Sequence, residues 1–205
     1  HLNYRCRLPV VSCIALFAAS VFAQNAPIKL EVDATDAPRK ILHARMTVPA
    51  RPGKLTLLYP KWLPGEHAPN GPITDLVGLK VTAAGKLIPW QRDAEDMFAF
   101  HLDVPQGASS VDVSYDFLLP PSSEAFSSGP SSTAQLLVLS WNQIVLYPKG
   151  APASQLQYAA KLRLPDGWKS GTALPVANAS ADGLEFSPVS LETLVDSPVL
   201  AGAHF

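Results

Sequence analysis

Val111-Asp112-Val113-Ser114-Tyr115-Asp116-Phe117-Leu118-Leu119 carries apolar residues at 111, 113, 115, 117 and 119 and polar ones at 112, 114 and 116. Successive side chains of a strand point to opposite faces, so this period of two predicts a strand with one face in a core and one in water. The same pattern extends outward in both directions. Phe98, Phe100, Leu102 and Val104 alternate with Ala99, His101 and Asp103, and Pro105-Gln106-Gly107 turns the chain between the two runs. Val77, Leu79 and Val81 share one parity. Ala84-Gly85-Lys86 reads as a hairpin turn, with residues 87–90 as the returning strand. Further toward the N-terminus, Ile28, Leu30 and Val32 alternate, then Leu42, Ala44, Met46 and Val48, and residues 55–59 make a short apolar strand. Turns are expected at 35–38 and 49–53.

On the C-terminal side, residues 136–147 are apolar around Trp141-Asn142-Gln143, and two strands with a tight turn fit them as well as one helix. Tyr158, Ala160, Leu162 and Leu164 alternate again. Pro165-Asp166-Gly167 is a turn, and short strands are expected at 184–186 and 191–195. Turn signals every 8–12 residues with little helical period predict an all-β chain, an antiparallel β-sandwich-like domain. The Ser/Pro-rich tract 120–133 interrupts this pattern without ending it, and is expected to be an exposed loop.

The composition agrees. The chain has 205 residues, 47% hydrophobic and 16% charged, enough apolar material for a sizeable core. Its 20 prolines are about twice the usual share and favour short strands and turns over long helices. A net charge of −1 supplies no basic field for nucleic acid, so no nucleic-acid partner is expected. Residues 1–23 read as a secretory signal peptide: Arg5 and Arg7 precede an uncharged apolar stretch, and Val21-Phe22-Ala23 fits a cleavage site. The run is too short for a membrane span, so an exported protein, periplasmic or secreted, is expected, with residues 24–205 as its folded domain and no stable membrane span after cleavage. Both cysteines, Cys6 and Cys13, lie in this leader, so the mature chain would carry neither disulfide nor thiol nucleophile. Removing Arg5 and Arg7 leaves 14 basic residues against 17 acidic, a net charge of −3. Asn178-Ala179-Ser180 is a glycosylation sequon by pattern.

One segment departs from the strand rhythm. Residues 60–72 contain four prolines, two glycines, Trp62 and the adjacent pair Glu66-His67. Each proline removes a backbone donor and fixes φ, so neither a helix nor a central strand can form. The favoured expectation is a stiff connector whose Trp62 plugs one end of the core. The other is a loop bordering a ligand or partner site. Its candidate interface or substrate-cleft residues are Trp62, Pro64, Gly65, Glu66, His67 and Asn70.

Familiar catalytic constellations are missing. The zinc-binding H-E-x-x-H is not in the sequence, and its inverted form fails because position 63 is Leu63. No G-x-S-x-G elbow and no P-loop occur. His43 and His101 fall on the polar parity of their strands, which predicts solvent exposure. Asp93, Glu95 and Asp96 could do acid–base work or bind calcium, but a solvated turn is the simpler reading. Trp62, Trp90, Trp141 and Trp168 could form a sugar-stacking platform, with core packing the favoured alternative.

Pro60-Lys61-Trp62-Leu63-Pro64-Gly65 resembles the W-x-P-G loop in the N-terminal domain of the glycyl aminopeptidase family, secreted or periplasmic zinc peptidases with a C-terminal PDZ domain. Further matches follow in order: Gly71-Pro72-Ile73-Thr74-Asp75-Leu76, Gly85-Lys86-Leu87-Ile88-Pro89-Trp90, Asp96-Met97-Phe98-Ala99-Phe100, Trp141-Asn142-Gln143 with Tyr147-Pro148, Leu164-Pro165-Asp166-Gly167-Trp168, and Leu194-Val195-Asp196-Ser197-Pro198-Val199. The resemblance implies a β-sandwich-like domain that precedes a thermolysin-like catalytic domain, with Asp196-Ser197-Pro198-Val199 as the segment leading into it. The family's H-E-x-x-H helix, third zinc ligand and PDZ carboxylate-binding loop match nothing here, so no catalytic or metal residue carries over. Zinc is expected only in the missing catalytic domain, no cofactor in this chain, and no peptidase activity from it alone. Its expected partners are its own C-terminal catalytic domain and a peptide substrate. Two other functions remain open: a stand-alone binding module for carbohydrate or peptide, requiring exposed coplanar tryptophans, and a small enzyme using Glu66, His67 and the acidic turn.

Overall fold

The computed structural model describes residues 26–63, 67–120 and 131–204. The leader with its two cysteines, the tract 121–130, and Pro64, Gly65 and Glu66 lie outside the described residues. The first eight strands are β1 (Ile28–Asp33), β2 (Ile41–Pro49), β3 (Gly53–Leu58), β4 (Leu76–Ala83), β5 (Lys86–Ile88), β6 (Trp90–Arg92), β7 (Ala99–Val104) and β8 (Ser110–Leu118). They are followed by β9 (Ser131–Ser132), β10 (Leu136–Leu139), β11 (Tyr147–Pro148), β12 (Gln157–Arg163), β13 (Lys169–Thr172), β14 (Val176–Ser180), β15 (Gly183–Phe186) and β16 (Val189–Ser190). A one-turn helix α1 (Leu191–Val195) and β17 (Val199–Gly202) complete the order.

The fold is all-β and sandwich-like. A large sheet runs β14-β15-β12-β1-β2-β8-β4-β5, with β16 also paired to β12. Two four-stranded sheets, β13-β17-β10-β9 and β11-β3-β7-β6, accompany it. Buried side chains from all three belong to one apolar core. In β8 the odd residues Val111, Val113, Tyr115 and Phe117 face inward, as the alternation demands. One large-sheet pairing is parallel: β1 runs alongside β12, Ile28 opposite Tyr158 and Asp33 opposite Arg163.

Three local expectations change. The hairpin turn at Ala84-Gly85 forms, both residues at positive φ (48° and 74°), as a tight two-residue turn requires. The returning strand, however, is two strands. Pro89 has no N–H to continue a ladder, and here the chain leaves the large sheet, where β5 pairs with β4, for a small one, where β6 pairs with β7. Residues 191–195 are a helix instead of a strand. Ser190 caps it by accepting from the Thr193 amide at 3.1 Å, and Leu191 and Leu194, three apart, face the core. Residues 136–147 hold two strands and a turn instead of one helix, but the strands do not pair with each other: β10 and β11 join different small sheets, with a 3-10 turn at Trp141–Gln143 between them.

That irregular connection is buried, and Ile144, Val145 and Leu146 are fully enclosed. Buried backbone carbonyls outside a ladder need donors. Three tyrosines supply them. Tyr59 donates to the Gln143 carbonyl at 2.6 Å, Tyr115 to that of Ile144, and Tyr158 to that of Leu146 at 2.8 Å. Burial pushes all three phenols well above their ordinary range, so they act as neutral donors. Trp141 fills the space beside them, its Nε1–H donating to the Ser197 carbonyl at 3.0 Å and its ring edge-on to Phe186.

Candidate functional site at the root of the proline loop

Strand β3 ends against Tyr59, whose amide donates to the Phe98 carbonyl at 2.8 Å and whose ring stacks on Phe98 at 6.5 Å. The loop then leaves the core at Pro60 and returns at Gly71. There the Gly71 amide donates to the Lys61 carbonyl at 3.0 Å, closing the neck. A Cβ on Gly71 would sit 2.1 Å from the Pro60 carbonyl oxygen, so only glycine permits this approach. Lys61 latches the neck to the acidic turn: its Nζ lies 2.9 Å from Asp96 Oδ2 and 5.9 Å from the Phe98 ring centroid. This hydrogen bond holds the Asp96 carboxyl below its ordinary range. Tyr147 of β11 is half-buried close by. Burial raises its hydroxyl pKa, and the Lys61 and Asp96 charges act on it in opposite directions.

Trp62 is 61% exposed, which corrects the expectation that it plugs the core. The core role belongs to Trp141, while Trp90 and Trp168 are partly buried. The aromatic character of Trp62 alone does not reveal which way the side chain turns. His67 and Asn70 are exposed on the far part of the loop, where the Asn70 amide donates to the Ala68 carbonyl at 2.9 Å. Pro64, Gly65 and Glu66 lie outside the described residues, so the Glu66-His67 pair is not placed. Sequence reasoning missed Lys61 and Tyr147 as parts of this site. The signal was present: the fragments around Trp62, Asp96-Met97-Phe98 and Tyr147-Pro148 are three of the matched motifs, and the fold brings them together.

The acidic turn is a folded cap. Asp93 accepts from the amides of Glu95 at 2.9 Å and Asp96 at 2.8 Å through one oxygen, and from His101 Nε2 at 2.8 Å through the other. The His101 contact and these two amides hold its carboxyl far below the usual range. The acidic turn therefore meets His101, on β7, instead of the loop histidine. Among the described residues no group of three or more His, Cys, Asp or Glu side chains could hold a metal ion.

A second histidine bridge lies on the outer face of the large sheet. His43 places Nδ1 2.7 Å from Asp116 and Nε2 3.3 Å from Asp36. Two carboxylates accept from the ring at once only when both nitrogens carry protons, and the Asp116 bond raises the His43 pKa from 6.5. A raised folded-state pKa adds stability that is present below the unfolded value and lost as pH rises through the folded one. Denaturant midpoints from pH 5.5 to 8.5 should therefore show the wild type losing, relative to His43→Gln, an advantage held at the acid end. Parallel curves would exclude the bridge as a stabilising element.

The chain matches the family model described as the Peptidase M61 N-terminal domain over residues 29–203. Among solved structures it is similar to an aminopeptidase N family protein from Idiomarina loihiensis, at 17% identity and a TM-score of 0.70 over 85% of this chain. It also resembles the M1 zinc metallopeptidase from Deinococcus radiodurans, at 11% identity and a TM-score of 0.50 over 87% of this chain. At such identities the likeness concerns the fold alone. The chain spans 29% of the first neighbour's length and 42% of the second's. No curated protein matches it.

Proposed function

Because this chain belongs to the Peptidase M61 N-terminal domain family, we propose that it is the non-catalytic β domain that packs on a zinc aminopeptidase catalytic domain in its parent protein and shapes the substrate cleft. Trp62 carries this reading: a tryptophan 61% exposed on a loop whose neck is closed by Gly71 and latched by Lys61 to Asp96. A large apolar side chain on a pre-ordered support loses little entropy on docking and suits an interface anchor. Met97, next to the latch, is 46% exposed. On β10 and β17, Val138 pairs with Leu200, and Leu136 and Leu200 are both exposed, giving the second apolar surface the reading requires.

In this reading zinc belongs to the catalytic domain, as the similar protein from Deinococcus radiodurans is an M1 zinc metallopeptidase. Peptide substrate meets this domain only where the loop borders the cleft. Export rests on the leader at residues 1–23; among the described residues no helix is long and apolar enough to cross a membrane. The binding-module alternative loses its stacking platform, since of the four tryptophans only Trp62 is largely exposed.

Trp62→Ala tests the proposal in two settings. In this chain alone its cost should stay below about 1 kcal/mol, as for an exposed side chain. In the parent protein the same change should weaken docking by roughly 2 kcal/mol or more, seen as faster proteolysis between the domains and a lower kcat/KM. Unchanged proteolysis and kinetics in the parent would remove the loop from the interface.

A further inference from the structure

The outer face of the small sheet β11-β3-β7-β6 carries a relay that the docking role does not use. Thr56 on β3 stands directly opposite His101 on β7, and Gln91 on β6 stands opposite His101 from the other side. Thr56 Oγ1 lies 2.9 Å from His101 Nδ1, and His101 Nε2 lies 2.8 Å from Asp93 Oδ2. The Asp93 carboxylate can only accept, so Nε2 carries the proton and donates to it. In the neutral ring Nδ1 is then an acceptor, and the Thr56 hydroxyl donates to it. The proton positions thus follow from the partners. Asp93 is itself fixed by the Glu95 and Asp96 amides, so the ring is held from behind. Thr56 and His101 open onto a groove of about 580 Å³ that Lys54, Gln91 and Asp103 also line.

We propose that Thr56 is an activated hydroxyl, with His101 as its base and Asp93 as the residue that orients the base, and that it takes acyl groups from activated esters. A hydroxyl hydrogen-bonded to an imidazole that a carboxylate orients has the arrangement of an activated nucleophile. In the step, Thr56 Oγ1 attacks the ester carbonyl carbon while its proton passes to His101 Nδ1. The new Oγ1–C bond forms, the ester C–O bond breaks, and the alkoxide or phenolate leaves with the electron pair. The imidazolium, paired with Asp93, then gives the proton to the leaving group or to water. Lys54 and Gln91 supply N–H donors in the same groove for the negative charge on the carbonyl oxygen.

The test incubates the chain with 4-nitrophenyl acetate and locates the acetyl group by peptide mass spectrometry. Thr47 is the internal control, because its hydroxyl donates to the Asp112 carboxylate at 2.7 Å instead of to an imidazole. Acetylation is expected at Thr56 well ahead of Thr47. His101→Gln should slow it by about 100-fold, and Thr56→Ser should retain it at residue 56. Both positions face outward on the sheet, and far-ultraviolet circular dichroism checks that each variant keeps its fold. Labelling of Thr56 no faster than Thr47, labelling unchanged in His101→Gln, or acetyl found only on lysines or on His101 would each overturn the proposal.

Discussion

Trp141→Ala should remove about 3–5 kcal/mol of stability, the loss usual when a buried tryptophan is cut back to a methyl group. Trp141 is fully enclosed, sits on the 3-10 turn between two sheets, and donates its indole N–H to the Ser197 carbonyl. The substitution removes three supports together. It opens a cavity against Phe186, it deprives Ser197 of its principal donor, and it loosens the turn that leads into residues 143–146. Equilibrium urea unfolding measures the loss. Trp62→Ala in the same chain provides the contrast, since both changes delete the same side chain and only one deletes it from the core. A Trp141→Ala cost below about 1 kcal/mol would mean that this turn does not close the core.

Tyr115→Phe tests the same region by chemistry in place of volume. The ring stays and the core remains filled, so the loss isolates the hydroxyl. Without it the Ile144 carbonyl is buried with no donor, which costs about 1–3 kcal/mol. Tyr59→Phe and Tyr158→Phe should behave alike at Gln143 and Leu146. The double variant should depart from simple addition, because the three carbonyls lie within four consecutive residues and share one backbone path. A neutral Tyr115→Phe would show that residues 143–146 find other donors.

The strands were legible because one face of each is buried and the other wet, and a period of two is what that asymmetry writes into a chain. Val111 to Phe117 and Ile28 to Val32 behave as their alternation indicates. Residues 191–195 misled because five residues are too few to separate the two periods, although Ser190 ahead of Leu191 and Leu194 was a cap signal. Trp62 misled for a different reason. Whether a tryptophan turns in or out depends on the path of the surrounding loop, and four prolines fix local φ without fixing that path. The parallel partnership of β1 and β12 is likewise invisible locally, because nothing in either strand names the other. At the candidate site the motifs were visible but their meeting was not. Lys61 and Asp96 are ordinary surface charges until the neck of the loop places them 2.9 Å apart. The relay of Thr56, His101 and Asp93 was hidden in the same way, across three elements.

The parallel pairing of β1 has a consequence for synthesis. Ile28 to Asp33 lies inside the large sheet, between β2 and β12. Its second neighbour, from Tyr158 to Arg163, is made well over a hundred residues later. A chain emerging from a ribosome therefore carries its first strand half-paired until residues 158–163 appear, and the loop-closure entropy is met only then. The sheet of this domain therefore locks only once β12 has been made, whatever the fate of the strands translated before it.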